Sequence, residues 1–229
     1  IRDSSTSRGL GDVYKRQLQY FFDPLCGWCY ASSPALNYLA QHYIEKLTLM
    51  PSGLFCDEGA RDITAQWADY AWTNDQRIAS LTGQPFSERY HQLLNSGARF
   101  DSTFMNRALT AFHEISPAAE AGLLRALQHA RYVLGRDTAQ SNVVEEIGIA
   151  WARENNLDLN DFVGRLDADD GLRSLTDDRI ADVKRLMNQK GFRGVPLLLV
   201  TIDSTEHIIS GHDLYGGAES ISEALAKLA

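Results

Sequence analysis

Residues 18–36, LQYFFDPLCGWCYASSPAL, carry a β-prone run, a turn and the start of a helix, with two cysteines at the junction. LQYFF is rich in residues that favour strands and stops at Asp23-Pro24, a turn-forming pair. Downstream, Tyr30, Leu36, Leu39, Tyr43 and Ile44 recur at roughly helical spacing. A second β-prone run, LTLMPSGLF (47–55), holds Pro51 and Gly53 near its end. Strand, helix and strand over so short a span specify a βαβ unit, a parallel pair joined by a right-handed crossover.

The segment after this unit has a different texture. No convincing strand is expected from 57 to 170, whereas helices are expected over 63–81, 87–94, 101–115, 116–135, 141–156 and 160–166. Ser116, Pro117 and Gly135 stand at the cap, first-turn and exit positions of one of them. The mixed pattern then returns: a helix over 174–190 closed by Gly191, a dense strand at 195–202, its hairpin partner at 206–210, and a C-terminal helix. The order β-α-β, helices, α-β-β-α gives an α/β protein with a thioredoxin-like fold, its βαβ and ββα halves separated by a large all-helical insertion. The expected boundaries are 18–56 for the first half, 57–170 for the insertion and 171–229 for the second half. Residues 1–17, IRDSSTSRGLGDVYKRQ, have no apolar period and no signal-peptide h-region. They resemble translated sequencing adapter, so a non-native leader is expected there.

Cys26 and Cys29 are two of three cysteines in 229 residues, too few and too odd for a secreted disulfide scaffold. If a helix begins at Cys26, residues three apart share a face, and a small adjustment closes a disulfide between them. The unpaired backbone N–H groups of a first helical turn favour a thiolate at Cys26. Cys29, one turn further in, is expected to be buried and protonated. Cys26 is therefore the expected attacking thiol and Cys29 the resolving one. Pro34, inside the same helical run, removes an intrahelical hydrogen bond and bends the helix near Tyr30.

Several motifs together make a family resemblance. DPLCGWCY followed by SPAL, then SGLF with EGAR, TGQPF, VLGRD and GVPLLLV resemble DsbA-family thioredoxin-fold proteins, in particular the cytoplasmic group described as predicted protein-disulfide isomerases. The likeness runs from 18 to 229. It implies thiol-disulfide exchange through C-x-x-C, a cytoplasmic setting, and a cis-proline at Pro196 facing the pair. The backbone of Val195, before that proline, would dock an extended substrate, and Trp28 reads either as a substrate platform beside the nucleophile or as a packing residue. The dithiol itself is the redox group, so no metal or organic cofactor is implied. The partners are protein or small-molecule disulfides and dithiols, with an electron donor that the resemblance does not name. The dipeptide here is Gly27-Trp28, not the Pro-His of DsbA, so strongly oxidising behaviour is not carried over.

Other readings compete. A kappa-class type of glutathione-dependent transferase or isomerase shares the superfamily, but its relatives generally place serine where Cys26 stands. A non-catalytic chaperone or adaptor would keep the fold and use the insertion to bind clients. A zinc site needs about four ligands, and there is no second C-x-x-C. Cys56 lies after the second strand, on the expected sheet edge of Cys26, and reads as a bystander thiol. Asp23 reads as a turn residue, Trp67, Trp72 and Trp151 as core, and His212 and Tyr215 as loop residues. A net charge of −8 argues against nucleic-acid and anionic-membrane partners, and no run approaches the ~18 apolar residues of a membrane span.

Overall fold

The computed structural model describes residues 16–159 and 161–228. Strand β1 (Arg16–Phe22) runs into two short helices, α1 (Gly27–Ala31) and α2 (Ser33–His42), and returns as β2 (Leu47–Pro51). Next come β3 (Arg61–Asp62), α3 (Ala65–Thr82), α4 (Glu88–Leu94), β4 (Arg99–Phe100) and α5 (Thr103–Ile115). Helices α6 (Glu120–Tyr132), α7 (Ser141–Glu154), α8 (Arg165–Ala168) and α9 (Asp170–Lys190) follow. The chain closes with the hairpin β5 (Leu197–Ile202) and β6 (Thr205–Ser210), then α10 (His212–Tyr215) and α11 (Gly217–Ala226).

The four-stranded sheet has the order β2-β1-β5-β6. β1 and β2 are parallel, with Leu18 opposite Leu47 and Phe22 opposite Pro51. β5 is antiparallel to β1, pairing Phe21 with Leu197 and Leu18 with Val200. As the inner strand of a sheet covered on both faces, β1 is apolar on both sides. Leu18, Tyr20 and Phe22 enter the main core with Leu36, Leu39 and Ile221 of α2 and α11. Phe21 faces the other way and packs with Leu197, Leu199 and Val183 of α9. This is the thioredoxin-like architecture with helices inserted between its halves.

The insertion is fixed to the sheet by buried polar contacts. Arg179 of α9 pairs with the buried carboxylate of Glu120 on α6 at 2.7 Å and donates to the carbonyl of Leu49 in β2 at 2.7 Å. One guanidinium thus joins the insertion, α9 and the sheet.

Several boundaries differ from those read in the sequence. β1 begins at Arg16, so Arg16 and Gln17 pair with Ile202 and Thr201 and belong to the sheet; residues 1–15 of the expected leader lie outside the described residues. Pro34 divides the first helix instead of only bending it: α1 ends at Ala31, Ser32 has ψ 3°, and Pro34 sits in the first turn of α2. β3 and β4 form a two-residue pair where no strand is expected, too short to show a period, and the Asp62–Arg99 ion pair at 3.0 Å joins them. Of the expected helix 160–166, residue 160 lies outside the described residues and 161–164 are mostly turn, with Asp161 and Gly164 at left-handed φ values of 54° and 76°; the helix there is Arg165–Ala168. α9 starts at Asp170 because Asp169 caps it, accepting from the Leu172 N–H at 2.9 Å.

Candidate active site

Cys26 and Cys29 lie where β1 leaves the sheet. Asp23-Pro24 make the expected turn, with the Cys26 N–H donating to the Asp23 carbonyl at 3.1 Å. Helix α1 starts one residue later than expected, so Cys26 is its N-cap and Cys29 is inside it. Cys26 retains 8% exposure and Cys29 only 2%. Burial, and then the neighbouring Cys26 thiol, hold the Cys29 thiol well above its ordinary range. All three cysteines are free thiols.

The second half of the fold approaches the same point. The Val195–Pro196 bond is cis, and the Val195 carbonyl lies 3.7 Å from the Cys26 sulfur. Trp28 packs its ring on Tyr215 of α10 at 5.0 Å, and His212 stands edge-on to Tyr215 at 5.5 Å. Tyr215 therefore supports the redox turn instead of serving only as a loop residue.

The insertion holds the turn from the other side. Tyr132 donates its hydroxyl to the Leu25 carbonyl at 2.8 Å, and Gln128 donates to the Pro24 carbonyl at 3.4 Å. Tyr30 donates to the Pro85 carbonyl at 3.1 Å. Beside the Tyr132–Leu25 contact is a cavity of about 290 Å3 over Cys26, Gly27 and Trp28, with Arg61, Trp67, Tyr70, Asp75 and Tyr132 among its walls. Val195 lines a separate groove of about 440 Å3 with Leu54, Lys184 and Phe192.

Behind the pair is a buried polar network. Asp23 accepts from the N–H groups of Leu25 and Phe55 at 2.9 and 3.2 Å and from the Ser102 hydroxyl at 3.1 Å. Burial lifts its pKa to about 6 against the pull of these donors. Cys56 contacts Ser102 at 3.3 Å and accepts from the Asn106 amide at 3.1 Å. Burial, and then the nearby Asp23 charge, push the Cys56 thiol up to about 12. Among the described residues no cluster of three His, Cys, Asp or Glu side chains is placed to hold a metal ion.

The comparisons with known proteins agree with this geometry. The cytosolic disulfide reductase DsbM from Pseudomonas aeruginosa is 30% identical and superposes with a TM-score of 0.78, over 93% of this chain and 100% of that one. The chain belongs to the DsbA-like family of thioredoxin-fold proteins. It is a thiol-disulfide oxidoreductase or isomerase of that family. DsbM in its complex with GSH matches at 30% identity and a TM-score of 0.74, covering 93% of this chain and 98% of that one. A 2-hydroxychromene-2-carboxylate isomerase shares the fold at 18% identity and a TM-score of 0.53, over 92% and 96% of the two chains. No family model matches the chain, and no curated protein does.

For this DsbA-like chain, the sequence reading missed the wall that the insertion supplies. Trp67, read as core, packs against the core and also lines the cavity, and Asp75, Arg61 and Tyr70 are not singled out. A signal for Asp75 was present: Ala68, Ala71, Asp75 and Ile78 form the buried stripe of α3, and an acid on such a stripe requires a reason.

Proposed function

We propose that this chain is a dithiol reductase that uses its C-G-W-C motif, with Cys26 as nucleophile and Cys29 as resolving thiol. The observation that carries the reading is the asymmetry of the pair. Cys26 caps a helix and opens on a cavity, whereas Cys29 is sealed behind it with its thiol held protonated by burial.

The Cys26 thiolate attacks one sulfur of a substrate disulfide and forms a mixed disulfide; the other sulfur leaves and takes up a proton. Cys29 loses its proton and attacks the Cys26 sulfur, forming the Cys26–Cys29 disulfide and releasing the second thiol. Two electrons pass from the thiolate–thiol pair to the substrate; of the two protons on the released thiols, one is balanced by the proton Cys29 gives up and the other comes from outside the pair. Asp23, buried behind the pair, is the carboxylate placed to influence the Cys29 proton. The loop at Val195 and cis Pro196 faces the attacking sulfur, where an extended substrate would dock, and Trp28 forms part of the platform beside it.

The naming of DsbM as a cytosolic disulfide reductase, and its complex with GSH, support a cytoplasmic setting and glutathione as the small thiol that exchanges with the pair. The three segments 18–56, 57–170 and 171–229 then divide the work: the two thioredoxin-like halves carry the pair and its docking loop, and the insertion walls the cavity. A kappa-class transferase reading leaves the buried Cys29 without a role.

The test is the reduction potential of the Cys26–Cys29 couple, from equilibration in glutathione redox buffers. A reductase requires a value towards that of thioredoxin, about −270 mV; a value near DsbA's, about −120 mV, would make the chain an oxidant and overturn the reading.

A further inference from the structure

We propose that Asp75, carried into the cavity by helix α3 of the insertion, donates the proton to the thiolate that leaves when Cys26 opens a disulfide. The proposal rests on the reading of Cys26 as the nucleophile.

The first observation is where the carboxyl points. Asp75 is 5% exposed. Its Oδ2 accepts the Tyr90 hydroxyl at 2.9 Å, and among the described residues its Oδ1 accepts no hydrogen bond. Asp75, Cys26 and Gly27 line the same cavity. A disulfide that enters this cavity to reach Cys26 meets the wall that carries Asp75.

The second observation is independent. A Cβ placed on Gly27 would lie 2.6 Å from Asp75 Oδ1 and 3.1 Å from Ile78. Gly27 is not held by an unusual φ, so its requirement is space. The absent side chain at the first position of the dipeptide makes room for the carboxyl. In this chain the insertion supplies a polar group where the redox dipeptide could otherwise carry one.

The protonation state fits the role. Burial raises the Asp75 pKa to about 7, against the Tyr90 hydrogen bond and the Arg131 charge. The groups that face it are Tyr90 on α4, Arg131 and Tyr132 on α6, and, around the cavity, Cys26 at the start of α1 and Arg61 of β3. Because Oδ2 already accepts from Tyr90, a proton on the acid resides on Oδ1, the oxygen at the dipeptide.

In the step itself, the Cys26–substrate S–S bond forms as the substrate S–S bond breaks. The departing sulfur takes the electron pair of the broken bond and then the Oδ1 proton. Asp75 is left as a carboxylate and recovers its proton from water at the cavity mouth. An alkyl thiolate, whose conjugate thiol has a pKa of about 8.5, takes that proton downhill. A strongly stabilised aromatic thiolate leaves without it.

The experiment compares two disulfides. Reduced parent chain and Asp75→Asn are mixed rapidly with oxidised glutathione, an alkyl disulfide, and with 5,5′-dithiobis(2-nitrobenzoate), whose leaving group needs no proton. Asp75→Asn should slow the alkyl reaction on the order of 10²-fold and the nitrobenzoate reaction far less. The limb near pH 7 in the parent's alkyl rate should vanish. Gly27→Ala, which forces Oδ1 away while keeping the acid, should show the same selective loss and serves where Asp75→Asn does not fold. Equal slowing with both disulfides, or an alkyl rate equal to the parent's, would overturn the proposal. A parent chain inert to both would overturn the redox reading itself, and the proposal with it.

Discussion

The sulfur of Cys26 lies 3.7 Å from the carbonyl oxygen of Val195, a contact across 169 positions of the chain. The nucleophile candidate is thus held between the two halves of the fold, which the insertion separates in sequence. Chemistry at Cys26 should depend on residues far from it in sequence.

One such dependence is structural. Glu120 is buried, and its carboxylate is balanced by Arg179, with His113 at 3.0 Å on the same group. Arg179→Ala leaves that carboxylate without its strongest partner and should cost roughly 3–5 kcal/mol. The double variant Glu120→Gln with Arg179→Ala should recover part of the loss, because no charge is then stranded. Urea unfolding of the single and double variants measures this; losses that simply add would show that the pair is not coupled.

The buried acids impose a pH dependence on stability. Asp23, at about 6, and Asp75, at about 7, hold their protons more tightly in the fold than an unfolded aspartate near 3.9. The stability they contribute is complete below about pH 4 and is lost as pH rises through about 6 and about 7. Asp75→Asn removes one of these titrations. Its stability relative to the parent should therefore improve between pH 5 and pH 8, by on the order of 2–3 kcal/mol. Denaturation of both chains under reducing conditions checks it, and a difference that does not change with pH would contradict it.

Cys56 should be chemically silent. With its thiol lifted to about 12 by burial, it should resist iodoacetamide in the native protein at pH 8 and react only after unfolding. Cys56→Ser should keep turnover within about twofold of the parent, since the hydroxyl can take over the contacts to Ser102 and Asn106. Mass spectrometry of the alkylated native chain and a turnover assay read the two expectations. Rapid native labelling would show that the site opens, and lost turnover would make Cys56 a redox relay.

Much of the fold is legible because its cues are local. Apolar alternation, Pro196 at the head of a strand and cap residues such as Thr64, which accepts from the Trp67 N–H at 3.2 Å, each act within a few positions. The βαβ and ββα halves and the C-x-x-C junction follow from such signals. What was not legible depends on packing between distant segments. Nothing near Cys26 in sequence announces that Asp75 fills the space beside Gly27, or that Tyr132 holds the Leu25 carbonyl. Asp23 reads as a turn residue, and it is one. Its second task, accepting from Phe55 and Ser102 to tie the insertion to the redox turn, appears only once three segments meet.

The central claim is the division of labour between the two cysteines, and trapping tests it most directly. If Cys26 attacks and Cys29 resolves from the same helix at high effective concentration, deleting the resolving thiol leaves attack intact and blocks release. Each single cysteine-to-serine variant is incubated with disulfide-containing protein and run on non-reducing electrophoresis. Cys29→Ser should accumulate covalent adducts that vanish on reduction. Cys26→Ser should accumulate few, because Cys29 is sealed at 2% exposure with its thiol held protonated. Equal adducts from the two variants, or more from Cys26→Ser, would contradict the account.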